Sequence, residues 1–158
     1  MAGRAGIGGD EIIGRMDLIG AIARPALAWI FVQGGVDALL APEPRAKMAA
    51  PLLDQVRDKA PDAVRDRLPS DEVLVQVNAG VQIAAGAALA TGRLPRLSAV
   101  ALIGSLAPTT VGGHPFWRMD DPAQRGPQRI QFAKNVAIIA GLLLAATRLK
   151  RPVAHVAG

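Results

Sequence analysis

The chain has 158 residues, 51% of them hydrophobic and 20% charged, with a mean hydropathy of +0.28. That is the length of one domain and too apolar for an average soluble one. A charge of +5, from Lys+Arg 18 against Asp+Glu 13, would by itself suit phosphate neutralisation on nucleic acid, while the absence of cysteine excludes disulfides, thiol redox chemistry and thiolate metal sites in this chain.

The apolar residues fall into four blocks separated by Pro- and charge-rich connectors, which predicts an all-α polytopic membrane protein: a four-transmembrane-helix antiparallel bundle. Residues 1–16 read as an N-terminal leader, with Gly6, Gly8 and Gly9 giving it flexibility. No small-residue cleavage pattern follows it, so the first span is expected to stay in the mature chain. Span one covers 17–41 and carries Arg24 near one end and Asp37 near the other. The connector 42–72 holds 6 basic and 7 acidic residues, five prolines and two amphipathic stretches, 51–59 and 61–68, suited to the membrane surface. Ser70, followed by Asp71 and Glu72, has the pattern of a helix cap with acids at the positive end of the dipole.

Span two, 73–92, is 20 residues without a charge, and span three, 97–117, is 21. At 1.5 Å per residue each can cross roughly 30 Å of hydrocarbon. Arg93 to Arg96 form the turn between them. Pro108 is expected to kink span three, with Thr109 and Thr110 satisfying a freed carbonyl. A polar loop, 112–129, leads to span four, 130–147, which contains Lys134 one turn inside, and a tail, 148–158, follows. Helices in lipid associate through small residues, and the stripes Gly80, Ala84, Ala88 and Ala133, Ala137, Gly141, Ala145 are candidate packing faces. A soluble bundle is disfavoured because it would show a polar stripe every three to four residues, and a β-barrel because period-2 alternation is missing.

With four spans both termini lie on one side. Basic residues number seven there and nine on the other side, but Arg93, Arg96, Arg148, Lys150 and Arg151 crowd helix ends without acidic neighbours, which favours cytoplasmic termini. Within the bilayer, Asp37, Asn78, Gln82, Thr109, Thr110, His114, Lys134 and Asn135 fall in the half toward the two longer connectors, so a polar cavity opening to that side is expected. Asn78 and Gln82 are four apart and share a face. Arg24 and Asp37, about 20 Å apart along one helix, need partners elsewhere. Asp37 with Lys134 is a sensible pair, against the alternative that Lys134 snorkels and Asp37 ends span one. Arg24 reads equally as snorkelling or as holding an anionic head group or a cofactor carbonyl. His114 beside Phe116 and Trp117 reads as an interfacial anchor ahead of a quinone-head or proton-relay role. The other histidine, His155, lies in the tail, so neither a bis-histidine haem nor a metal-ligand spacing is available.

The stretch from Arg24-Pro25 through Trp29, Phe31, Gly34, Gly35 and Asp37 resembles the first span of the DoxX family. The resemblance continues through Val75-Gln-Val-Asn78-Ala-Gly80-Val-Gln82, Gly92-Arg93-Leu-Pro95-Arg96, Pro108-Thr109-Thr110, Gly113-His114-Pro-Phe116-Trp117 and Gln131-Phe132-Ala-Lys134-Asn135, covering about 17–147. It implies a four-helix protein of the bacterial inner membrane, in the company of an oxidoreductase complex linked to oxidative stress or to thiol and quinone chemistry. Because the chain lacks cysteine and paired histidines, the reading is a non-catalytic subunit that anchors partner proteins and holds a quinone or lipid-like ligand. The candidate ligand-binding residues are Arg24, Asp37, Asn78, Gln82, Thr109, His114, Trp117, Lys134 and Asn135, with no catalytic residue and no metal ligand. The expected partners are the lipid bilayer and other subunits of a redox complex, not nucleic acid, and self-association is left open. A small membrane transporter and a lipid-binding or purely structural protein are the alternatives.

Overall fold

In the computed structural model the described residues are 9–147, with side chains from Leu18 onward, so the basic tail residues used for orientation lie outside them. The described residues form helices α1 (Gly9–Leu40), α2 (Pro42–Lys59), α3 (Asp62–Arg65), α4 (Asp71–Ala90), α5 (Pro95–Gly113) and α6 (Pro122–Thr147), with a 3-10 turn at Phe116–Arg118, and no strand. Three segments are long and apolar enough to cross a membrane: Leu18–Leu40, Asp71–Ala90 and Pro122–Thr147.

The boundaries follow from local chemistry. Pro42 disfavours the helical region for the residue before it, and Ala41 accordingly leaves it at φ −138°, ψ 70°, which ends α1. The same proline then opens α2, where its missing N–H costs nothing. Ser70 caps α4, its Oγ accepting from the Val73 N–H at 3.4 Å, with Asp71 and Glu72 in the first turn as the sequence predicts. Arg57 joins the two surface elements, reaching the Asp71 carboxylate at 2.5 Å and donating to the Pro69 carbonyl at 3.2 Å. The α4–α5 turn needs left-handed backbone at Gly92 (φ 68°) and, unusually for a bulky residue, at Leu94 (φ 47°).

Several expectations are corrected. Helix α1 begins at Gly9, inside the expected leader, and α6 begins at Pro122, eight residues before the expected span, because helical hydrogen bonding continues past the apolar stretch. The connector is one long helix plus a single turn rather than two short stretches, since Pro51 is accommodated inside α2. Helix α5 ends at Gly113, and it is not among the segments apolar enough to be read as a span by composition. Exposed Arg96 and the prolines Pro95 and Pro108 lower its average hydropathy, as do the polar residues Ser98, Ser105 and Thr110, which are buried against the other helices. Pro108 lies within α5, but the Thr109 and Thr110 hydroxyls donate to the carbonyls of Leu106 and Ser105 rather than to that of Gly104, which the proline leaves unpaired.

Helices α1 and α4 pack antiparallel along most of their shared length. The contact runs through Gly35 against Ala79 and Ile83, then through Gly86 against Ala28 and Val32. This replaces the expected Gly80–Ala84–Ala88 face: Gly80 has open space around it, and the packed side of α4 carries Ala79 and Gly86. On α6, Ala133 and Ala137 are exposed while Gly141 meets Leu27 and Ala145 packs on the core, so half of that stripe is used. Ala28, Phe31, Leu89, Ala99, Leu102 and Leu142 form the core, drawn from α1, α4, α5 and α6 and gathered toward the α4–α5 turn. Exposed apolar residues such as Trp29, Ile22, Val77, Val100 and Leu144 cover the outside, as lipid-facing surfaces require.

The Gly35 contact sets a sharp test. A Cβ there would stand 2.8 Å from both the Ala79 carbonyl oxygen and Ile83 Cγ1, so Gly35→Ala must push α1 off α4. We expect that variant to melt earlier in detergent by about 1–3 kcal/mol, as overpacking does. Gly80→Ala, with nothing within 4 Å, should melt at or slightly above the parent. Equal melting of the two variants would refute this packing.

Candidate functional site

Where α1 stops short, a space is left over its end. Pairing of Gly35 with Ala79 and of Gly86 with Ala28 fixes the register, so Leu40 lies level with the second turn of α4. Helix α2 crosses above this space and packs on α4 and α5. Leu52 of α2 is seated on Gly112 so closely that a Cβ there would lie 2.6 Å from its Cδ1. Beneath α2 is a cavity of about 660 Å³, within the size range of small-molecule sites.

Five candidate residues line it: Asn78 and Gln82 of α4, Thr109 of α5, His114 at the end of α5, and Asn135 of α6. The Gln82 Nε2 donates to the buried Ser105 hydroxyl at 2.8 Å, tying α4 to α5 at the cavity floor. Among the described residues the side-chain amides of Asn78 and Asn135 make no protein hydrogen bond, leaving donors and acceptors available to whatever fills the space. His114 Nδ1 lies 2.6 Å from Gln128 Oε1. With that carbonyl oxygen as acceptor, Nδ1 is the donor of this contact. Thr109 spends its hydroxyl proton on the Leu106 carbonyl at 2.8 Å and keeps lone pairs for another donor. Phe31, Leu106, Ile138, Val75 and Leu52 make the apolar walls.

The other four candidates lie elsewhere. Arg24 is at the opposite end, its Nη1 against Gly92, where a Cβ would stand 2.9 Å away. Asp37 meets Arg45 at 3.9 Å, both side chains about half exposed, rather than Lys134, the partner offered by one of the two sequence readings. Such an exposed pair contributes little stability. Lys134 is exposed and donates to Gln131 Oε1 at 3.0 Å. Trp117 joins Phe116 and Phe132 in an edge-to-face cluster with centroids 5.1 to 5.6 Å apart, beside the cavity rather than on it.

Sequence reasoning missed Arg45, which belongs to the connector yet lines the cavity once α2 folds over it. It also missed Ser105, although tracing depth up α4 and down α5 places that hydroxyl level with Gln82. Gly34 was a further signal: its bare backbone faces Gln82 Oε1, which a Cβ would approach only to 3.7 Å.

The Gln82–Ser105 bond can be measured by a double-mutant cycle with Gln82→Leu and Ser105→Ala. Interhelical side-chain bonds in membranes are worth about 0.6 kcal/mol on average and up to about 2. A coupling of that size in detergent unfolding is expected, and strict additivity would show the bond to be absent.

Comparison with protein families matches residues 19–115 to the DoxX model, from the apolar part of α1 to the end of α5 and over half of the chain. Comparison with curated proteins and with solved structures finds no match. The matched region carries most of the cavity, including Asn78, Gln82, Thr109 and His114, while Asn135 on α6 lies beyond it. With its long apolar helices and this match, the chain is a multi-pass membrane protein that belongs to the DoxX family.

Proposed function

We propose that this DoxX-family chain is a non-catalytic membrane subunit that binds a quinone or lipid-like ligand in the cavity beneath α2 and anchors partner proteins of an oxidoreductase assembly. In this reading α1, α4, α5 and α6 all span the bilayer as a four-helix antiparallel bundle, in the bacterial inner membrane with both termini cytoplasmic. The observation that carries it is the cavity itself: amides of Asn78 and Asn135 without protein partners, inside apolar walls. Unpaired amides surrounded by hydrocarbon are costly, so a site that keeps them is built to be filled by water or by a ligand's polar group.

The residues fit a quinone ring. Its carbonyls need N–H donors, which Asn78 and Asn135 offer, and its flat apolar body needs walls such as Phe31, Leu106 and Ile138. When bound, a quinone would supply the electron-accepting chemistry. The chain's own residues would hold and orient it and keep bulk water out. With no cysteine in the sequence the chain brings no thiol chemistry of its own, which is why redox partners are assigned to other subunits.

The test is purification in mild detergent followed by extraction and mass spectrometry of bound small molecules and associated proteins. Gly34 and Gln82 both line the cavity, and a Cβ at Gly34 meets nothing closer than 3.7 Å, so Gly34→Leu directs an apolar side chain into that space. Expected are near-stoichiometric lipid-like material in the parent, at least tenfold less in Gly34→Leu at an unchanged melting temperature, and co-purifying redox proteins in both. A parent free of extractable ligand refutes the binding role, and a parent isolated alone refutes the anchoring role.

A further inference from the structure

The cavity reaches from the α2 roof down to the middle of α4 and is bordered on one side by α1 and α6. Gln82 is 11 residues from the start of α4 and 8 from its end, or about 16 and 12 Å along the axis. Gly34, Ser105 and Asn135 are brought to the same level by the α1–α4, α4–α5 and α5–α6 pairings. Helices α1 and α6 meet where Leu27 lies over Gly141, in the half nearer the α4–α5 turn. In the other half they diverge, and Ile30, Phe31 and Gly34 on one side face Asn135 and Ile138 on the other across the cavity. Ile30 lines the cavity and is 46% exposed, so it stands at the outer edge of the gap.

The axial route differs. Met48, Ala49, Pro51 and Leu52 of α2 form a roof there, pinned by Leu52 on Gly112. An occupant therefore meets an apolar lid from the water side and a gap between apolar helices from the lipid side. Charge narrows its chemistry. Among the described residues no carboxylate lines the cavity, and the Arg or Lys that does, Arg45, belongs to the roof and meets Asp37 at 3.9 Å. Lys134, next to Asn135 in the chain, lies outside the lining and is turned to Gln131, so among the described lining residues an ionised phosphate or carboxylate at the level of the amides would find no counter-charge. A carbonyl or hydroxyl needs only the hydrogen bonds that Asn78 and Asn135 offer.

We propose that the cavity admits, from the bilayer through the gap between α1 and α6, a lipid whose uncharged carbonyl or hydroxyl head is held by Asn78 and Asn135 while its apolar chain stays in the gap. This rests on the ligand-site reading above and narrows it to an uncharged, membrane-dissolved amphiphile taken up sideways.

The test uses the full chain in nanodiscs with three probes, each bearing a photoreactive diazirine on its apolar tail: a diacylglycerol, a prenylated benzoquinone and a phosphatidylglycerol. An uncharged probe should label the segments 30–34 and 135–138, with the phosphatidylglycerol labelling them at least fivefold less. The two uncharged arms distinguish a glyceride from a quinone source. Asn78→Leu with Asn135→Leu should cut labelling at least tenfold. Ile30→Trp, at an exposed position that tolerates bulk, should do the same by blocking the gap, while Val136→Trp on the lipid face of α6 should leave it unchanged. Dominant labelling by phosphatidylglycerol that falls with Arg45→Gln would overturn the uncharged head yet leave a ligand site. Labelling indifferent to Ile30→Trp would overturn the sideways route. Absence of label from all three probes in both segments would overturn the ligand-site reading as well.

Discussion

Close backbone approach between α1 and α4 is the constraint on which the remaining structure depends. In lipid there is no hydrophobic gain from bringing two apolar helices together, so they must be held by contact itself. Gly35 and Gly86 remove the side chains that would keep the axes apart, and the small Ala28 and Ala79 fill the seam between them. That seam fixes one register. With it fixed, the stop imposed on α1 by Pro42 leaves α1 short of the α4 start, and the connector must turn back across the opening.

The cavity is the geometric remainder of this arrangement. Four helices converge on Leu89, Ala99, Leu102 and Leu142 at one end, where Leu27 reaches Gly141. Toward the other end α1 follows α4 and α6 follows α5, so α1 and α6 part. Polar groups concentrate where they part: Gln82 is satisfied by Ser105, and Asn78 and Asn135 face the open volume. Two of the buried polar residues of α5 have partners that explain their inward direction, Ser105 with Gln82 and Thr110 with the Leu106 carbonyl.

Much of this was legible along the chain. The depth of each polar residue could be counted from helix ends, and it placed Asn78, Gln82, Thr109, His114 and Asn135 in one half, where they do surround one volume. The Ser70 cap was readable from local rules, and the turn expected at Arg93–Arg96 begins one residue earlier, at Gly92. Asp37 and Lys134 shared a depth but not a direction. Depth counts leave rotation about the helix axis undetermined, and the Asp37 carboxylate meets Arg45 of the connector instead. The small-residue face of α4 failed for the same reason: Ala79–Gly86 and Gly80–Ala84–Ala88 are adjacent stripes, and composition does not say which one another helix will choose.

The basic, half-apolar composition determined the class of this protein, because apolar runs of about 20 residues separated by charge have one economical placement, in a bilayer. The sequence also determined the order of the apolar helices, the Ser70 cap of α4 and the half in which polar side chains would collect, since each of these depends on position along the chain. The tertiary structure alone decided which face of each helix turns inward, that α2 roofs the space above α1, and that α1 and α6 separate at mid-depth. Those outcomes depend on pairwise fit between surfaces far apart in sequence, where a glycine without room for a Cβ and a glycine in open space read alike.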